Sequence, residues 1–117
     1  TYIDDIVDGI HRVIFNLDYE NKTWDQEKPD PSLSYAPFRI FNIGASDPIK
    51  LMDYIKEIEN NLGIKAIKEF YPLQPGDAKA TIADITNIQD KLGYAPSTNI
   101  KTGIKNFVNW YREYYQI

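Results

Sequence analysis

Apolar positions recur every three to four residues in four stretches of this chain. Ile6, Val7, Ile10 and Ile14 keep the 3.6-residue period of a helix, and Asp4 or Asp5 stands where an N-cap is needed, so a helix over 5–16 is predicted. Leu51, Ile55, Ile58 and Leu62 mark a second over 48–62, opened by Asp47 with Pro48 in the first turn and closed by Gly63. Asp84 and Gly93 bracket a short third helix over 85–92. The last, over 99–115, carries Ile100, Ile104, Phe107, Val108, Tyr111 and Tyr115 on one side. Gly103 inside it costs about 1 kcal/mol against alanine, and a close packing contact would explain it. Trp110, Tyr111, Tyr114 and Tyr115 form an aromatic stripe, read as core packing with an amphipathic end rather than a cofactor or carbohydrate surface, because half of them repeat at helical spacing.

Other runs follow a different pattern. Phe38-Arg-Ile-Phe-Asn-Ile-Gly44 is apolar on both faces except at Arg39 and Asn42, which predicts a strand at 38–43 covered on both sides, as in a parallel sheet flanked by helices. Ile64 to Phe70 also reads as a strand. The chain opens on Thr1-Tyr2-Ile3, β-prone and without an initiator Met, the look of a piece cut from something longer. Between Asn16 and Pro37 the periodicity stops, and Tyr19, Trp24 and Tyr35 are interspersed with polar residues and prolines. A stretch of that length is uncommon in a compact domain unless it is functional or packs on a neighbour. Trp24 reads as an anchor for that loop, with base stacking as the other option.

Composition narrows the classes. At 117 residues, 43% hydrophobic and 14% aromatic, the chain can build one modest core. Its net charge of −4 argues against general nucleic-acid binding, which needs clustered Lys and Arg against phosphates. No apolar run approaches the roughly 20 residues that span a membrane, and there is no secretory leader pattern, so a cytoplasmic protein is expected. With no cysteine and a single histidine, His11, disulfides, thiol catalysis and Cys- or His-rich metal sites are excluded. His11 sits beside the first helix's stripe with no catalytic partner in reach along the sequence.

The segment with most chemical potential is Tyr71-Pro-Leu-Gln-Pro-Gly-Asp-Ala78. Its prolines and glycine bar a helix or central strand and allow backbone N–H groups, the Gln74 amide and the Asp77 carboxylate to gather at one spot. A turn with a solvated aspartate is the plainer reading of the same residues. Complete machinery for catalysis is lacking: the glycines at 9, 44, 63, 76, 93 and 103 are too dispersed for a phosphate cradle, and no tyrosine is followed four residues later by lysine. Asp4 with Asp5, or Asp84 with Asp90, could be paired carboxylates, but helix capping accounts for Asp4, Asp5 and Asp84 better. No catalytic residue is assigned.

Several segments, in order and spacing, resemble the nucleotide-sugar epimerases of the extended short-chain dehydrogenase/reductase family, and most of all the UDP-glucuronate 4-epimerase branch. They are Thr1 to Ile6, the Trp24 to Ser34 loop, Ala36 to Gly44, Pro48 to Ile55, Pro72 to Asp77 with Ala80-Thr81 and Ala83-Asp84, Gly93 to Thr98, and Gly103 to Tyr115. The resemblance implies an α/β protein of which this chain is an incomplete C-terminal fragment, mostly helical with few strands. Residues 1–44 would complete the edge of an upstream Rossmann-type nucleotide-binding domain, and 45–117 would form most of a small UDP-sugar domain.

In that family a bound NAD⁺ oxidises C4 of the sugar and returns the hydride to the other face. The resemblance places NAD and the catalytic tyrosine and lysine upstream of Thr1, with a homodimeric parent, so the chain alone would be inactive. Gln74, Pro75, Gly76 and Asp77 would face the UDP part of the substrate, Asp77 on ribose hydroxyls, with Thr81 close by. Many relatives carry arginine where this chain has Gln74, so a neutral donor replaces a phosphate ion pair. A stand-alone, non-catalytic binding or interaction module derived from the family is the alternative. An epimerase of UDP-N-acetylhexosamine or UDP-glucose is another.

Overall fold

The computed structural model describes residues 1–16 and 24–117; Tyr19, one of the loop aromatics, lies outside them. Among the described residues there are four helices, α1 (Ile3–Asn16), α2 (Leu51–Leu62), α3 (Thr86–Leu92) and α4 (Ile100–Tyr115). They are distributed over two compact units. The first comprises Thr1, Ile3–Ser46 and Ala83–Pro96; the second comprises Tyr2, Asp47–Ile82 and Ser97–Ile117.

The first unit is built on a small core of Ile85, Ile88 and Tyr94, with Val13, Phe41, Ile43, Ala83 and Leu92 packed around it. Helix α1 meets this core through Gly9, where a built Cβ would stand 3.0 Å from Ile43 Cγ2 and 3.1 Å from the Tyr94 ring. The inward face is therefore Gly9 with half-buried Ile6 and Val13. Of the predicted stripe, Val7, Ile10 and Ile14 are exposed, as is Ile3. Close approach of the helix backbone, where a Cβ would crowd Ile43 and Tyr94, decides the face against the simple apolar period. Arg12 ties the helix down, its guanidinium donating to the Leu92 carbonyl at 3.0 Å and to Asp8 at 2.7 Å. Burial, and then the charges of Asp5 and Asp8, push the Tyr94 phenol above its ordinary pKa.

The predicted strand at 38–43 does not form among the described residues. A strand exists by pairing, and this run makes only an isolated antiparallel bridge between Leu33 and Arg39. Its alternation survives without a ladder: Phe41 and Ile43 enter the core while Ile40, on the other side, is exposed. Asn42 donates to the Asp84 carbonyl at 3.1 Å. The β-prone opening is likewise not a strand, since α1 begins at Ile3. Asp84 does accept the Thr86 N–H at 3.0 Å, but helix α3 starts one residue later than predicted. That bond and the Thr86 hydroxyl hold the Asp84 carboxyl below its ordinary value.

In the second unit α2 and α4 pack on one another, with Ile104 and Val108 buried. Asn99 caps α4 by accepting the Thr102 N–H at 2.9 Å. The Tyr2 ring fills the space at Gly103, 3.3 Å from where a Cβ would stand, which is the close contact expected of that glycine. Helix α2 begins at Leu51, not at Pro48, because Lys50 stays extended (φ −66°, ψ 136°) and no side chain caps the earlier residues. Its end matches the prediction: Gly63, at φ 75°, closes it in the left-handed conformation. Arg112 then donates to the Leu62 carbonyl at 2.7 Å.

The aromatic stripe of α4 is a surface feature, against the core reading. Phe107, Trp110, Tyr111, Tyr114 and Tyr115 are all exposed and contact one another, Trp110 stacked on Tyr114 at 5.4 Å and Tyr111 tilted against Tyr115 at 4.6 Å. Nor is Ile64 to Phe70 a strand; among the described residues no ladder pairs it.

Candidate functional site

Gln74, Pro75, Gly76 and Asp77 form one tight turn. The Asp77 N–H donates to the Gln74 carbonyl at 3.1 Å, proline sets φ at the second position, and Gly76 takes φ 93° at the third. Those are the requirements of a type II turn, and glycine is the residue that meets the last without steric cost. The Asp77 carboxylate folds back, Oδ2 accepting the Gln74 N–H at 3.1 Å. The Gln74 side-chain amide donates to the Pro72 carbonyl at 2.8 Å.

Asp77 Oδ1 and the Gln74 amide oxygen, both on exposed residues, take no part in these hydrogen bonds and are acceptors of the kind a ligand's hydroxyls would need. The turn offers no cation. Residues 63–82 are exposed throughout, so the turn stands on an open surface. Four of the expected site residues are thus brought together. Thr81 is exposed four residues further on, and among the described residues no hydrogen bond joins it to the turn.

The chain that leads to this turn is held by a residue the sequence reading passed over. Glu59 on α2 is only 7% exposed, yet it is ionised. Its Oε1 accepts the Lys68 ammonium and the Ala66 N–H (3.1 Å), and its Oε2 accepts Lys65 at 2.9 Å. The Lys68 hydrogen bond, followed by those of Lys65 and Ala66, lowers its carboxyl from 4.5 to about 2. A signal was present: Glu59 lies among Ile55, Ile58 and Leu62, and two lysines follow Gly63. A carboxylate placed so near an apolar stripe needs cations, and the chain supplies them next in sequence.

The glycines bear on cofactor fit. Among the described residues those with positive φ are Gly63, Gly76 and Gly93, which close α2, the turn and α3. Among the described residues none of these opens a helix, the position a glycine takes in a dinucleotide phosphate cradle. No helix among the described residues is long and apolar enough to cross a membrane.

No family model matches the chain. Curated relatives align along it. An uncharacterized protein of Escherichia coli O111:H- is 46% identical over all of this chain and 35% of its own length. Protein CapI of Staphylococcus aureus is 42% identical over 99% of this chain and 35% of its own. A probable UDP-glucuronate 4-epimerase of Rhizobium meliloti (strain 1021) is 35% identical over 99% of this chain and 34% of its own. The chain is homologous along its length to UDP-glucuronate 4-epimerases. It spans about a third of the length of the first relatives it matches. The resemblance read from the separate segments is borne out, and the largely helical structure is consistent with a part of such an epimerase.

Proposed function

We propose that the chain is the C-terminal, UDP-sugar-binding portion of a nucleotide-sugar 4-epimerase, and that the parent interconverts UDP-glucuronate and UDP-galacturonate. The observation that carries this is similarity along this chain's length, though over only 25–26% of theirs, to proteins bearing the UDP-glucuronate 4-epimerase name, among them four from Arabidopsis thaliana at 34–38% identity. The Gln74–Asp77 turn supports a binding role: it carries acceptors on exposed residues of a proline-stiffened loop, suited to the hydroxyls of a ribose. Asp77 is the ribose contact in this reading, with Gln74 as a neutral group beside the phosphates and Thr81 near the same nucleotide.

With it go residues 1–44 as part of the nucleotide-binding domain and 45–117 as most of the sugar-nucleotide domain. In this reading NAD belongs to the upstream part of the parent, and the chain alone neither holds it nor catalyses. A cytoplasmic homodimer is the expected setting of the parent.

The test is Asp77→Ala in the full-length enzyme. Loss of a hydrogen bond to a charged group in a closed site weakens UDP-sugar binding by about ten- to a hundred-fold, with NAD content unchanged. In the 117-residue chain the same substitution leaves the melting temperature nearly where it was, because an exposed turn carboxylate has little to lose. Wild-type binding and activity in the full-length mutant would reduce Asp77 to a turn residue.

A further inference from the structure

We propose that Glu59 is a positioning residue for the Gln74–Asp77 turn, acting as a clamp on the segment that carries it. The inference rests on the reading of that turn as the nucleotide contact. Residues 64–82 contain no helix or strand and are exposed throughout, so packing does little to fix them. Among the described residues, the hydrogen bonds that join this stretch to a helix are those on Glu59, from Lys65, Ala66 and Lys68. The two partners that matter most are Lys68 and Ala66. Lys68 is 28% exposed against 80% for Lys65, and the Ala66 N–H fixes the backbone itself.

Beyond the clamp, restraint passes along the chain in short steps. The Tyr71 hydroxyl donates to Glu69 at 2.9 Å, the Gln74 side chain to the Pro72 carbonyl at 2.8 Å, and the Gln74 N–H to Asp77 at 3.1 Å. Pro72 and Pro75 add fixed φ values between these steps. The other end of the lever is firm, because Glu59 lies one turn before an α2 terminus held by Gly63 and by Arg112 on the Leu62 carbonyl. A carboxylate on a fixed helix thus sets where an exposed, irregular stretch starts, and with it where the turn is presented.

The consequence is thermodynamic. If the turn occupies its binding position only part of the time, the apparent Kd rises by the inverse of that fraction. Lys68→Met removes the less exposed of the two ammonium groups on Glu59 and leaves α2 intact; Glu59→Gln keeps an acceptor for Ala66 and loses the charge. Both variants of the 117-residue chain are compared with wild type by amide relaxation. The expected result is lower order at Ala66 and at Gly76, with helix content unchanged by circular dichroism. In the full-length enzyme the same substitutions raise the Kd for UDP about five- to tenfold.

Loosening at Ala66 with no change at Gly76 would overturn the proposal, and so would unchanged order at both. Asp77→Ala in the same UDP titration separates the two readings. If it has no effect, the turn is not the nucleotide contact, while the Gly76 relaxation still decides whether Glu59 positions it.

Discussion

Replacing Gly44 by alanine tests the packing of the first unit at its tightest point. A Cβ built at Gly44 stands 2.7 Å from the Ala83 Cβ, where ordinary contact begins at 3.4 Å, so the two backbones must part by roughly 0.7 Å. The atom it meets is fixed to backbone and cannot swing away. Ala83 in turn packs on the Ile85, Ile88 and Tyr94 core, so the shift is felt there. Overpacking of this kind costs about 1–3 kcal/mol. Removing a glycine from the unfolded chain returns about 0.4–1 kcal/mol. The clash wins, and a net loss of about 1–2 kcal/mol is expected.

Native-state amide exchange reads this loss at Gln89 and Gly93, which donate to the Ile85 and Gln89 carbonyls in α3. The Gly63 amide, in the other unit, serves as control. Adding Ala83→Gly to Gly44→Ala removes the facing methyl and should recover most of the loss, a coupling of about 1–2 kcal/mol. Protection unchanged within about 0.5 kcal/mol in the single variant, or no coupling in the double, would refute the close-approach explanation.

Two further expectations concern the second unit. The Glu59 carboxyl is lowered to about 2 in the folded chain, so its stabilisation is complete above about 4.5 and is lost as pH falls from there toward 2. Exchange at Gly63 followed from pH 6 to pH 3 should show a steeper loss in wild type than in Glu59→Gln; parallel curves would exclude the linkage. Asn99→Ala removes the cap on Thr102 and should cost about 1 kcal/mol, with faster exchange of the Thr102 amide. Asn99→Ser should keep the stability within a few tenths of a kcal/mol.

Helix placement was legible because its causes are local. The 3.6-residue period, Gly63 and Gly93 as left-handed caps, and Pro75-Gly76 as the centre of a type II turn are properties of neighbouring residues, and they fold as the residues dictate. The grouping of Gln74 to Asp77 followed for the same reason. So did the family, since its motifs are read directly from side-chain order.

What sequence could not settle were contacts between residues distant along it. A strand needs a partner, and residues 38–43, for all their β character, find only one bridge among the described residues. The face of α1 that turns inward is fixed by Gly9 meeting Ile43 and Tyr94, not by the apolar stripe, of which Val7, Ile10 and Ile14 stay exposed. The aromatic ladder of α4 keeps to the surface while Ile104 and Val108 go in. Glu59 becomes a buried, ionised anchor only because Gly63 reverses the chain and brings Lys65, Ala66 and Lys68 back over α2. Local propensity chooses the elements; desolvation and close approach, which exist only once the chain is folded, choose which side chains each element commits.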